Sequence, residues 1–286
     1  MASLAYSTCL GNTSAVLGDG TWTRLGRAGK AWWRVTGCEL NDHINLKVPG
    51  GHGGGVPASG AQRGRIFLLG DSVLREQTHA WCRRTGGAYR LELNQVRVAS
   101  CIGKHMDMFW FFMGAISKCP WSSVALANHV TSSVTKAFGE PHLVVLSSAM
   151  WDLKVNKPAS RRVSPTYLDA WSGNATVVVQ NLRLNLPRSL FVWHTTGLPR
   201  QDPKQNLVND RAWIRGLNER GRQLARREGL LLVDSERMFA QLGKQPMWDL
   251  HHPRWQYAAV LANVYANLLK CATRTNTGTP CDTPLR

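Results

Sequence analysis

From residue 64 onward, short apolar runs alternate with longer stretches of helical spacing. Ile66-Phe67-Leu68-Leu69, opening on Arg65, is an unbroken apolar run closed by Gly70. Unbroken apolarity predicts a strand buried on both faces, as in a parallel sheet. Residues 73–84 follow with helical spacing. Alternation at Leu91, Leu93, Val96 and Val98 predicts a second strand over 89–99. Runs at 142–147, 189–194 and 230–234 predict three more. Helical patterns fill 123–138, 166–184, 207–227 and 254–269. Strands separated by helices predict βαβ units, hence an α/β fold with a parallel sheet.

Residues 1–60 follow no such pattern. They carry Cys9, Trp22, Trp32, Trp33 and Cys38, then Gly50-Gly51-His52-Gly53-Gly54-Gly55. A glycine run of that kind suits neither helix nor strand interior. The expected organisation is an irregular Trp/Cys-rich extension over 1–60, packed on a main domain over 61–286.

In open parallel sheets, ligands gather beyond the carboxyl ends of the strands. Gly70-Asp71-Ser72, Ser147-Ser148, His194-Thr195-Thr196 and Asp234-Ser235 all fall there. Ser72 stands out among them. A serine between a buried strand and a helix has its hydroxyl exposed by the turn, and the free N–H groups of the first helical turn lie beside it. Gly70 allows the tight turn and close substrate approach. The structural alternative is that Asp71 or Ser72 merely caps the helix.

A nucleophilic serine needs a base, and the base needs a carboxylate. Trp248-Asp249-Leu250-His251-His252-Pro253 supplies both on one loop that enters a helix. Asp249 and His252 lie three apart, and Pro253 suits a first helical position. His251 competes with His252 as the base. A metal site on Asp249, His251 and His252 lacks further ligands to close it, so no metal is expected.

The remaining composition narrows the setting. The chain has 286 residues, 43% apolar and 19% charged, which excludes disorder throughout. Its apolar stretches are too short to span a bilayer. The start, Met1 to Tyr6, has no signal-peptide pattern. Seven cysteines and sequons at Asn12 and Asn174 nevertheless favour a secreted or lumenal protein whose targeting segment is not in this chain. Cys9–Cys38 and Cys271–Cys281 are candidate disulfides. The net charge of +17 favours anionic partners, acidic glycans included. Nucleic acid is not expected. There is no Lys/Arg block, and the densest cluster, Arg215, Arg220, Arg222, Arg226 and Arg227, suits the wet face of a helix.

The motifs, taken in order, resemble the SGNH (GDSL-like) hydrolase superfamily. The finer resemblance is to the plant trichome-birefringence-like proteins and their PC-esterase relatives. It rests on Gly70-Asp71-Ser72-Val73-Leu74-Arg75, on Asp249 and His252, on the segment Trp33 to Leu40, and on Leu146-Ser147-Ser148-Ala149-Met150-Trp151-Asp152-Leu153. The resemblance implies a flavodoxin-like three-layer α/β/α sandwich. It implies a triad with Ser72 as nucleophile, His252 as base and Asp249 as orienting acid. Gly70, Arg75, Ser147 and Ser148 would line the oxyanion and substrate side, with Arg75 in the oxyanion hole. It implies transfer or hydrolysis of O-acyl groups, O-acetyl above all, on cell-wall or surface polysaccharide, in the Golgi lumen or outside the cell. No cofactor is implied; an acyl donor such as acetyl-CoA or an acyl-glycan would be a substrate. A monomer is expected.

Two departures qualify the resemblance. Ser147-Ser148 stands where many relatives carry an asparagine, and a hydroxyl donates only one hydrogen bond. The chain also lacks a membrane anchor. The rival class is a glycan-binding protein that keeps the fold without turnover. Trp81, Trp110 and Trp151 are candidates either for stacking on sugar rings or for the core.

Overall fold

The computed structural model describes residues 20–25, 30–35, 63–93, 97–103, 106–116, 125, 127–156, 163–199, 208–242, 247, 249 and 251–275. The Cys9–Cys38 and Cys271–Cys281 pairings, the Asn12 sequon and the 50–55 glycine run lie outside these residues or their described side chains.

Two strands, β1 (Gly20–Leu25) and β2 (Lys30–Val35), pair antiparallel as a separate ribbon. The main sheet has seven strands: β3 (Gly64–Gly70), β4 (Ala88–Leu93), β5 (Arg97–Ile102), β6 (Met106–Phe112), β7 (Leu143–Leu146), β8 (Leu190–His194) and β9 (Leu231–Val233). Their order is β4-β5-β6-β3-β7-β8-β9. β6, β3, β7, β8 and β9 run parallel, while β5 pairs antiparallel with both of its neighbours. Numbered along the chain, the five consecutive parallel strands stand in the order 2-1-3-4-5. That is the flavodoxin-like arrangement, in which the chain reverses direction across the sheet between the first and third strands.

The helices are α1 (Ser72–Thr85), α2 (Thr135–Phe138), α3 (Met150–Asn156), α4 (Pro165–Asn185), α5 (Val208–Glu228), α6 (Ser235–Ala240) and α7 (Trp255–Thr275). A π-helical turn, Val130–Val134, runs into α2. The sheet separates two cores. Ile66 and Leu68 of β3 face Leu74 and Trp81 of α1 and Val260, Leu261 and Tyr265 of α7. Phe67 and Leu69, one step along, face Leu153 of α3, Trp171 and Val178 of α4, and Ile214 and Leu224 of α5. The period-two alternation of β3 thus serves both faces, and all four of its apolar side chains are fully buried. Burying each contributes roughly 2 kcal/mol. The result is a three-layer α/β/α sandwich.

Three expectations are corrected. The predicted strand over 89–99 is two strands, β4 and β5, paired from Ala88↔Ile102 to Leu93↔Arg97. A period-two pattern reads the same along one strand as along two halves of a hairpin. β6, absent from the five predicted runs, lies next to β3, because its buried Met108, Phe109, Trp110 and Phe111 suit a strand covered on both faces. Pro253 is not at a first helical position. It forms a bridge with Met247, and α7 begins at Trp255.

A disulfide, Cys82–Cys101, ties α1 to β5. Neither cysteine was among the predicted pairs. The β4–β5 hairpin carries Cys101 beneath the helix. Asn174 lies inside α4 and donates from its side-chain amide to the Ile116 carbonyl at 3.1 Å, so the nitrogen of that sequon is engaged.

Candidate active site

The site lies where the chain reverses between β3 and β7. Gly70 is level with Phe112 of β6, and Leu69 with Leu146 of β7. A Cβ at Gly70 would meet Leu74 Cδ1 at 2.7 Å and the Ser147 carbonyl at 2.8 Å, so only glycine fits. Asp71 caps α1, its Oδ1 accepting from the Val73 N–H at 2.9 Å. The carbonyls of Gly70 and Asp71 accept from Trp110 Nε1 at 3.1 and 2.9 Å, and the Gly70 carbonyl also accepts from the Met113 N–H. These bonds fix the turn and leave Ser72 half-exposed at the positive end of a 14-residue helix.

Across 180 positions of sequence, His252 meets it. Ser72 Oγ lies 2.7 Å from His252 Nε2, and His252 Nδ1 lies 2.7 Å from Asp249 Oδ2. Asp249 Oδ1 accepts from the backbone N–H of both His251 and His252, each at 2.7 Å. The Met247–Pro253 bridge closes the loop at its two ends. Burial alone would raise the Asp249 carboxyl. The two backbone N–H bonds and His252 outweigh it and hold the group below the ordinary carboxylate range. It therefore stays ionised against the imidazole. His251 has no bond to Ser72; burial pushes its imidazole down. Of the two histidines, only His252 is in reach of the serine.

Beneath the serine lies a pair of buried carboxyls. Burial raises Asp71 to about 6, nearby Asp152 adds to the rise, and the Val73 N–H and His252 oppose it. The backbone N–H of Met150 also acts on the Asp71 carboxyl and opposes the rise. Ser148 Oγ donates to Asp152 Oδ2 at 2.5 Å, and Tyr167 Oη to Oδ1 at 3.4 Å. Ser148 is therefore engaged with Asp152. Ser147 donates its N–H to the Leu69 carbonyl, and its fully buried hydroxyl has no partner.

Arg75 directs its guanidinium to Glu76 Oε1, at 2.8 Å from Nη2 and 3.3 Å from Nε, and lies 5.9 Å from the centre of the Trp110 ring. Its bonds go to Glu76, not to Ser72. Trp81 and Trp110 are 5% and 1% exposed, so both pack the core and neither is open to a sugar. Trp151 is half-buried against Phe112, with Lys154 4.5 Å over its ring. Among the described residues, Trp255 is an exposed tryptophan beside the site; the sequence patterns do not single it out, because a lone aromatic at the start of a helix carries no periodic signal.

The other strand ends do not join this site. Thr195 Oγ1 donates to Asp234 Oδ1 at 2.8 Å, and Arg222 bonds Asp234 at 2.8 and 3.0 Å and Glu236 at 2.8 Å. Asn218 clips the backbone of Thr196 from both sides and donates to Glu236. Burial alone would raise Asp234, but Arg222 and Thr195 hold it below its ordinary range. His194 is buried with neither ring nitrogen paired, and burial lowers it to about 3. Among the described residues, no group of three or more His, Cys, Asp or Glu is arranged to hold a metal ion. Nor is any helix long and apolar enough to cross a membrane.

No protein-family model matches the chain. No curated protein matches it either. Several solved structures are similar to it at low identity. One is a carbohydrate esterase family 3 protein from Talaromyces cellulolyticus, with TM-score 0.47 and 15% identity over 73% of this chain and 98% of that one. Another is a peptidoglycan O-acetylesterase, with TM-score 0.45 and 10% identity over 74% and 93%. A third is a lipase/acylhydrolase from Enterococcus faecalis, with TM-score 0.44 and 12% identity over 74% and 97%.

Proposed function

We propose that this chain is a serine-dependent acyl-transfer enzyme of the SGNH type, in its PC-esterase branch, acting on O-acetyl groups of polysaccharide. The observation that carries the reading is the unbroken chain from Ser72 Oγ through His252 to Asp249, with both links at 2.7 Å. Such a chain activates a hydroxyl that is otherwise a weak nucleophile near neutral pH.

In the proposed reaction, Ser72 Oγ attacks the ester carbonyl carbon while His252 Nε2 takes its proton. Asp249 keeps the other ring nitrogen protonated and stabilises the imidazolium. The tetrahedral intermediate collapses, and the leaving sugar hydroxyl takes the proton back from His252. An acetyl-Ser72 remains. Water or an acceptor hydroxyl then attacks it, giving up its proton to His252, and Ser72 is restored. The oxyanion faces the first turn of α1. In this reading Arg75, one turn along, adds positive charge. No cofactor enters the cycle, and a lumenal or extracellular setting suits the substrate.

The test uses polysaccharide carrying labelled acetyl groups, with and without an unacetylated acceptor glycan. Released acetate marks an esterase, and label on the acceptor marks a transferase. Either is expected to vanish in Ser72→Ala, and full activity in that variant would reject the reading. The engagement of Ser148 by Asp152 favours one alternative, a glycan-binding protein without turnover. Equal glycan binding by both proteins, with no turnover in the wild type, would point there.

A further inference from the structure

Beside the catalytic loop lies a cavity of about 400 Å³, lined by Glu76, His79 and Arg83 of α1 and by Pro253, Arg254 and Trp255. It lies within the range of small-ligand pockets, roughly 300–1,000 Å³. Pro253 follows His252 directly, and Glu76 stands one helical turn after Ser72. Whatever fills the cavity is therefore carried next to the acyl-transfer chemistry.

The lining carries two arginines, one histidine and one carboxylate. Glu76, its only carboxylate, is already paired with Arg75. Arg83 and Arg254 are both exposed, and neither has an ion pair among the described residues. Trp255 is 48% exposed, large for an indole. The guanidiniums of Arg84 and Arg83 lie 4.5 and 5.6 Å from its ring centre, which restrains them at the rim. With 35 Lys and Arg against 18 Asp and Glu, unpaired cations are common in this chain; what marks Arg83 and Arg254 is that they line one cavity beside the 249–252 loop. Here the fixed positive charge faces an open cavity beside an aromatic surface.

We infer that this cavity is a subsite for a uronate residue of an acidic polysaccharide, with Arg83 and Arg254 receiving the carboxylate and Trp255 the ring. The inference rests on the acyl-transfer reading and narrows its substrate class. A guanidinium matches a carboxylate through paired N–H donors. The apolar face of a pyranose fits against an exposed indole. A neutral glycan would use the indole and leave two unpaired cations idle.

Calorimetric binding of unacetylated oligogalacturonate tests the subsite without turnover. The wild type is expected to bind, with affinity falling as salt rises. Arg83→Gln/Arg254→Gln is expected to weaken binding about tenfold or more. Arg188→Gln/Arg226→Gln, which removes two exposed arginines elsewhere, is expected to change it less than about twofold. The circular-dichroism melt of each variant establishes that it is folded. Absence of wild-type binding, or equal weakening in the two variants, overturns the inference. So does equal competition by a neutral xylo-oligosaccharide or an oligonucleotide of the same length. Ester turnover is measured separately. Selective binding without ester turnover would reject the acyl-transfer reading and leave the subsite standing. Turnover with no uronate binding would do the reverse.

Discussion

Two polar clusters sit at the carboxyl ends of the same parallel sheet, and they are built on opposite principles. At β8 and β9, Thr195, Arg222, Asp234, Glu236 and Asn218 bond to one another, and Asp234 is held ionised by Arg222. Its charges are spent on each other. At β3 and β7, Ser72 is half-exposed, Ser147 Oγ lacks a partner, and burial pushes Asp71 up to about 6. Strand-end position alone does not make a site. What separates the two clusters is exposure: at β8 and β9 the charges pair, and the unpaired atoms, His194 and Thr196 Oγ1, are buried, whereas Ser72 is half-exposed against His252. A buried, charge-paired network stabilises, whereas a half-exposed hydroxyl held against a histidine is open to a ligand.

The contrast breaks if His252→Ala behaves as a structural mutation. The expected loss of ester turnover is on the order of 10⁶-fold, with the melting midpoint nearly in place. Arg222→Met is expected to do the opposite. It leaves buried Asp234 with only the more distant Arg237, at 3.4 Å, as a cation, and costs up to about 3–5 kcal/mol, read as a lower urea midpoint, with little change in turnover per folded molecule. Large turnover loss in a well-folded Arg222→Met protein would merge the two clusters into one site.

Asp71→Asn sharpens the comparison further. The carboxyl titrates at about 6 in the fold against an ordinary 3.8. The fold thus favours the protonated form. That contribution is complete below the ordinary value and is lost as pH rises through about 6. The amide stays neutral throughout. The variant is therefore expected to be more stable than the wild type by on the order of 1–3 kcal/mol at pH 8, with the difference closing at pH 3.5. A constant difference across pH would mean that burial does not disfavour the ionised form.

The chain's own pattern made some of this readable and hid the rest. Ile66 to Leu69 announced the central strand because unbroken apolarity has few other uses. Ser72 and the 249–252 loop could be considered together because a serine needs a base and a base needs a carboxylate. Residues 89–99 misled because a hairpin preserves the alternation of a single strand. The Cys82–Cys101 bond depends on that hairpin, so its pairing was hidden too. Arg222 was expected on the wet face of a helix with its neighbouring arginines, but its side chain is only 11% exposed, because its bonds to Asp234 and Glu236 form when α5 packs against the sheet. Trp255 gave no signal, since its importance comes from the arginines that α1 brings beside it.

The most direct measurement is the site of covalent labelling by a fluorophosphonate probe, read by peptide mass spectrometry in the wild type, His252→Ala and Ser72→Ala. The account predicts a single adduct on Ser72, formed far more slowly in His252→Ala and absent in Ser72→Ala. An adduct on another residue, or labelling of Ser72 at an unchanged rate without His252, would contradict it.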